Sequence, residues 1–169
     1  MPAYASIRDI PGTVDQAVIV VQAPGVEDAV RESISKGVKC VVVLTSGFAE
    51  LGEQGKAAQD KLVAMCRDAG VRMLGPNSLG LLNVDTRYFA TFSTALYGLQ
   101  PRSGSISLAT QSGAFGSCAY GMATLRGLGV QELRQVVQLF RYGRSGIEVA
   151  HFRSGDGGDG RWLHHAVSV

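Results

Sequence analysis

The chain has 169 residues, 46% hydrophobic and 18% charged, with a formal net charge of +2. That length supports one well-buried domain or parts of two small ones, and no stretch approaches the roughly 20 apolar residues needed to cross a bilayer. The charge is too small, and the arginines too scattered among the other residues, to argue for a nucleic-acid surface.

Residues 4–11 read as a loop entering a strand that already needs neighbours. Residues 14–21 form a near-continuous apolar, β-branched run, which suits a parallel strand covered on both faces. After Ala23-Pro24-Gly25, the residues Val26, Ala29, Val30 and Ile34 recur at helical spacing, and Gly37 closes the segment as a C-cap. Residues 38–44 give a second strand. In the next helix Ala58, Leu62, Met65, Cys66 and Ala69 share one face, with Lys56, Asp60, Lys61 and Arg67 on the other, and Gly70 ends it. Residues 71–74 supply a third strand. Such alternation implies right-handed crossovers and a doubly wound parallel sheet, whose ligands bind outside the carboxyl ends of the strands.

Beyond residue 83 the pattern weakens into a connection containing Tyr88, Phe89, Phe92 and Tyr97, and a fresh strand follows at residues 105–109. A domain boundary is therefore expected near Pro101. From Gly129 onward the signal drops. Residues 136–140 read as a candidate strand, whereas residues 143–160 are rich in Gly, Arg, Ser and Asp, so the end of the chain is expected to be poorly ordered.

Three strands stop abruptly at polar turns: Thr45-Ser46-Gly47-Phe48, Gly75-Pro76-Asn77 and Thr110-Gln111-Ser112-Gly113. Together they point to one shared crevice. A helix starting near Ser112 would aim free backbone N–H groups and a positive dipole end at one spot, which favours an anion. The small residues Gly113, Ala114 and Gly116 would let a phosphoryl group approach, although the same pattern arises where Ser112 only caps a helix. The loop 45–50 suits a nucleotide or a pantetheine-like chain, with Gly52 and Gly55 keeping it mobile. Its plainer reading is an ordinary strand-to-helix loop in which Glu50 and Glu53 favour the helix start. For Gly75-Pro76-Asn77, turn construction competes with ligand contact by Asn77.

Cys40, Cys66 and Cys118 lack the paired spacing of a zinc site and read as buried thiols of a reducing compartment. No charged-then-apolar leader precedes the first strand, which gives the expectation of a cytoplasmic protein. His151, His164 and His165 have no further ligands nearby in sequence, so a metal site is rejected. A nicotinamide-dependent oxidoreductase is disfavoured because no Gly-x-Gly-x-x-Gly follows the first strand.

Gly-Val-Arg-Met-Leu-Gly-Pro-Asn-Ser-Leu-Gly, Val-Val-Leu-Thr-Ser-Gly-Phe-Ala-Glu and Ala-Thr-Gln-Ser-Gly-Ala-Phe-Gly, at their spacing here, resemble the NDP-forming acyl-CoA synthetases and the succinyl-CoA synthetase alpha subunit. The resemblance covers about residues 4–129. It implies an α/β fold in which residues 1–100 are the C-terminal part of a Rossmann-like CoA-binding domain and residues 101–142 begin a flavodoxin-like ligase domain, with a divergent tail at 143–169. It further implies CoA contacts at Val21, Gln22, Leu44, Thr45, Ser46, Pro76 and Asn77, and a phosphoryl site at Gln111, Ser112 and Gly113. Proline is usual where this chain has Gln22.

The implied reaction joins a carboxylic acid to CoA at the expense of a nucleoside triphosphate, by way of an acyl phosphate and a phosphohistidine. ATP or ADP with Mg and an ATP-grasp beta subunit or fused domain are implied for the complete enzyme, and an oligomer is compatible with it. The family's first strand and Gly-rich loop would lie before Tyr4, and none of the three histidines has the context of the family's nucleophile, so no catalytic residue is assigned and a fragment without turnover is expected. Residues 146–152 resemble a family segment, while their surroundings do not. The alternative is a non-catalytic CoA-binding or regulatory module, such as that fused to a protein acetyltransferase.

Overall fold

The computed structural model describes residues 2–99 and 101–135. The candidate strand at 136–140, the divergent tail and the three histidines lie outside the described residues.

The first part is built as expected. Strand β1 (Gln16–Ile19) leads into helix α1 (Ala23–Lys36), strand β2 (Cys40–Val43), helix α2 (Glu53–Asp68) and strand β3 (Arg72–Leu74). The three strands pair in parallel in the order β1-β2-β3. Pro24 opens α1 where a missing N–H is harmless, and Gly37 closes it at φ 83°, with its amide donating to the Ile34 and Ser33 carbonyls. The apolar stripe of α1 delivers Val26 and Val30 into the core, and α2 delivers Leu62 and Cys66, where they meet Ile19, Val41 and Val43. Glu27 joins the two helices through an ion pair to Lys61 at 2.7 Å, and also pairs with Arg31 on its own helix.

One expectation about β1 fails. Val18 is 43% exposed and Val20, just beyond the strand, is 68% exposed, so the face these two share is open rather than covered.

The stretch read as a connection is a hairpin. Strand β4 (Gly80–Asn83) pairs antiparallel with β5 (Tyr88–Thr91), and the turn between them is held by Asn83, whose Oδ1 accepts from the Thr86 amide and hydroxyl. Strand β6 (Ile106–Thr110), helix α3 (Gly113–Leu125) and strand β7 (Val130–Gln135) follow. Strand β7 is parallel to β6 and antiparallel to β4, giving a four-stranded mixed sheet in the order β5-β4-β7-β6. Leu82, Val84, Tyr120, Val130 and Leu133 form its core against α3. The Tyr88 hydroxyl donates to Gln16 Oε1, which links β5 to the start of β1. Among the described residues, no helix is long and apolar enough to cross a membrane.

Candidate functional site

The carboxyl ends of β1, β2 and β3 meet in one hydrogen-bonded cluster. Thr45 Oγ1 donates to the Val21 carbonyl at 2.6 Å, and the Asn77 amide donates to the Thr45 carbonyl at 2.8 Å. Parallel pairing requires this convergence, because strands in register end together. The turns then need unusual backbone. Asn77 stands at φ 55°, and Gly75, at φ 94°, follows a path on which a Cβ would lie 2.1 Å from the Val43 carbonyl oxygen. The Gly75-Pro76 peptide is cis.

Gly47 is equally constrained. At φ 105° it lies so close to α1 that a Cβ would come within 2.9 Å of the Ala23 Cβ. Gly55, expected to keep the loop mobile, does the opposite: a Cβ there would sit 1.9 Å from the Phe48 carbonyl oxygen, so the glycine permits close packing of α2 on the loop. Phe48 is buried beneath this contact.

The predicted CoA-contacting residues divide by exposure. Val21, Gln22 and Ser46 are exposed, Thr45 and Asn77 are half-buried, and Leu44 and Pro76 are buried. Leu44 and Pro76 thus support the turn from below, while the other five carry the accessible surface at the strand ends.

Glu50 was expected only to favour a helix start. Instead its Oε1 accepts from the Gly47 amide across three residues. Burial would raise its pKa, but hydrogen bonds from the backbone of Gly47, Glu50 and Phe48 and from the Asn77 side chain outweigh that and hold the carboxyl below its ordinary value. Only the local bond to Gly47 had a signal in the sequence, a carboxylate three residues after a turn amide; the bond from distant Asn77 had none.

Gln111, Ser112 and Gly113 stand where β6 enters α3. Ser112 is the N-cap, its Oγ accepting from the Phe115 amide at 3.3 Å, so the capping role is real. The cap occupies the Phe115 amide, while the earlier amides of a first helical turn have no intrahelical acceptor, which is what an anion site needs. Gly116 also serves packing: a Cβ there would lie 2.7 Å from Thr110 Cγ2, so its absence lets α3 pack on the end of β6. A small, mostly apolar cleft beside this helix start is lined by Leu79, Leu81, Leu82 and Leu133 together with Thr91, Ser93, Thr110, Gly113, Gly116 and Ser117. The Ser93 and Ser117 hydroxyls are 2.7 Å apart across it. Sequence reasoning missed this hydroxyl pair because Ser93 comes from the unrecognised hairpin region.

The thiols also differ from expectation. Cys66 is buried, Cys40 is half-buried and Cys118 is exposed. Burial raises the pKa of Cys66 to about 11 and also raises that of Cys40. No group of three or more metal-ligating side chains occurs among the described residues.

Residues 1–83, which contain the whole β1–β3 cluster, match a CoA binding domain family. The alpha subunit of ADP-forming acetate–CoA ligase II from Pyrococcus furiosus is 41% identical over 115 residues, covering 68% of this chain and 24% of that protein. The alpha subunit of isoenzyme I from the same organism is 40% identical over 133 residues, 79% of this chain and 28% of that protein. The chain belongs to the family of the NDP-forming acyl-CoA synthetases and the succinyl-CoA synthetase alpha subunit. It spans about a quarter of the length of these two family members.

Solved structures similar to the chain agree with the α/β fold. A protein of Pyrococcus horikoshii superposes with a TM-score of 0.75 at 35% identity, over 80% of this chain and 30% of that one. The acetyl-coenzyme A synthetase 1 of Candidatus Korarchaeum cryptofilum, solved with phosphate and ADP, superposes with a TM-score of 0.73 at 33% identity, over 80% and 28%.

Proposed function

We propose that the chain binds coenzyme A across the carboxyl ends of β1, β2 and β3, with Val21, Gln22, Thr45, Ser46 and Asn77 facing the ligand and Leu44 and Pro76 supporting them. The observation that supports this reading most is the hydrogen-bonded union of Val21, Thr45 and Asn77 within the residues that match the CoA binding domain. Exposed Val21 offers an apolar contact to a pantetheine arm and the exposed Ser46 hydroxyl a donor to its amide groups, while the Thr45 hydroxyl and the Gly47 and Asn77 amides are engaged in holding the turns.

In the complete enzyme the reaction class is acid–thiol ligation, in which acid, CoA and a nucleoside triphosphate yield acyl-CoA, nucleoside diphosphate and phosphate through an acyl phosphate and a phosphohistidine. The start of α3 at Gln111, Ser112 and Gly113 serves there as the phosphoryl cradle, through backbone donors and the helix dipole rather than an ionisable side chain. The partner is an ATP-grasp beta subunit or fused domain that brings ATP or ADP with Mg, and the setting is cytoplasmic. This chain alone carries out no turnover: its only histidines, His151, His164 and His165, lack the family's nucleophile context. Calorimetric titration with CoA and NAD side by side tests the binding reading. Saturable heat with CoA and none with NAD is expected; the reverse overturns it. A coupled assay of acyl-CoA formation from acid, CoA and ATP is expected to stay at background.

A further inference from the structure

We infer that Glu50 is a positioning residue for the coenzyme A site, its carboxylate fixing the loop after β2 and the turn after β3 in one geometry. The inference rests on the CoA reading above and adds to it a residue outside the predicted contact set.

Three observations converge on Glu50. Its carboxylate accepts from the Gly47 amide and from the Asn77 side chain, so it touches both loops that carry accessible residues of the site. The loop's backbone is packed closely at Gly47 against Ala23 and at Gly55 against Phe48, and Glu50 adds a side-chain tie to that packing. Finally, Asn77 is bonded on both sides, through its backbone amide to Thr45 and through its side chain to Glu50, while Thr45 reaches on to Val21. Glu50 thereby closes a polar chain running through all three strand ends. Without the carboxylate, the Gly47 amide and the Asn77 side chain each lose an acceptor, and the loop that carries Ser46 loses a tie.

A competing effect has the opposite sign. CoA carries phosphates, and a carboxylate near its site repels them, so removing the charge would tighten binding if repulsion dominated. Glu50 is exposed, where water and salt screen such repulsion strongly. The charge-assisted hydrogen bonds act locally and escape most of that screening.

The test uses the full chain as wild type, Glu50→Gln and Glu50→Asp, with CoA and phosphate-free pantetheine as probes. Glu50→Gln keeps the shape but loses the charge and one acceptor oxygen. Its affinity for both probes is expected to fall about fivefold, the fold-change that the loss of one exposed hydrogen bond implies. The Gly47 amide proton resonance, shifted downfield by its carboxylate partner, is expected to move upfield in Glu50→Gln and partly return in Glu50→Asp, with cooperative melting retained. Equal or tighter CoA binding by Glu50→Gln, or an unmoved Gly47 resonance, overturns the inference. If wild type binds neither probe, the CoA reading fails by itself, and the Gly47 resonance alone decides whether Glu50 holds the loop.

Discussion

The Thr45 hydroxyl donates to the Val21 carbonyl at 2.6 Å, so one side chain ties the end of β2 to the end of β1. Thr45→Val keeps the volume and β-branching but removes the donor. The expected cost is about 1 kcal/mol of stability, the net worth of one such hydrogen bond, together with weaker CoA binding. Urea unfolding and calorimetry read the two effects, and unchanged values in both would show that the tie is idle.

Gly55→Ala reverses the usual rule for helices. Alanine normally gains about 1 kcal/mol over glycine inside a helix, but here the new Cβ would lie 1.9 Å from the Phe48 carbonyl oxygen. Overpacking of this kind costs roughly 1–3 kcal/mol, and the backbone of Phe48 cannot rotate away as a side chain end would. Net destabilisation is expected in urea unfolding. A stabilised variant would mean that α2 does not pack on this loop as described.

The first sheet was legible because its segments obey one rule at a time. Val26 and Val30 mark a helix face, Cys40 to Val43 an apolar strand, and Gly37 a helix end. The hairpin was not legible. Strands β4 and β5 are four residues each, Gly80 and Asn83 weaken the first as a strand signal, and the turn uses Arg87 at φ 53° rather than a glycine. Strand β7 was hidden for a related reason: in Val-Gln-Glu-Leu-Arg-Gln only Val130 and Leu133 are apolar, yet Glu132 is buried. At the site, the strand ends announced themselves through Gly, Pro, Asn and Ser. Glu50 did not, because its role depends on Asn77, far away in sequence and adjacent only after folding.

The three thiols are expected to react in a fixed order. Thiolate is the reacting species, so exposure and a low pKa both speed labelling. Cys118 is exposed, Cys40 is half-buried with a raised pKa, and Cys66 is buried with a pKa of about 11. A disulfide reagent at neutral pH followed by peptide mass mapping should find Cys118 modified first and Cys66 only after unfolding. Early labelling of Cys66 would contradict the core assigned to α2.

Tyr88 predicts alkaline behaviour. Burial, with a contribution from nearby Cys40, raises its pKa from 10.0 to about 12. The folded state then keeps a phenol proton that the unfolded state releases, so the stabilisation is complete below about pH 10 and is lost as pH rises towards about 12. Tyr88→Phe removes this titration along with the bond to Gln16. Unfolding curves across that range should show the stability gap between wild type and variant narrowing as pH rises; a constant gap would contradict the assigned environment.

The account stands most directly on an amide-resolved titration of the full chain with coenzyme A. Saturable shifts gathered at Gln22, Thr45, Ser46, Gly47 and Asn77 are the predicted result. Absence of any saturable shift, or shifts confined to the β4–β5 hairpin with the ends of β1, β2 and β3 unchanged, would contradict it.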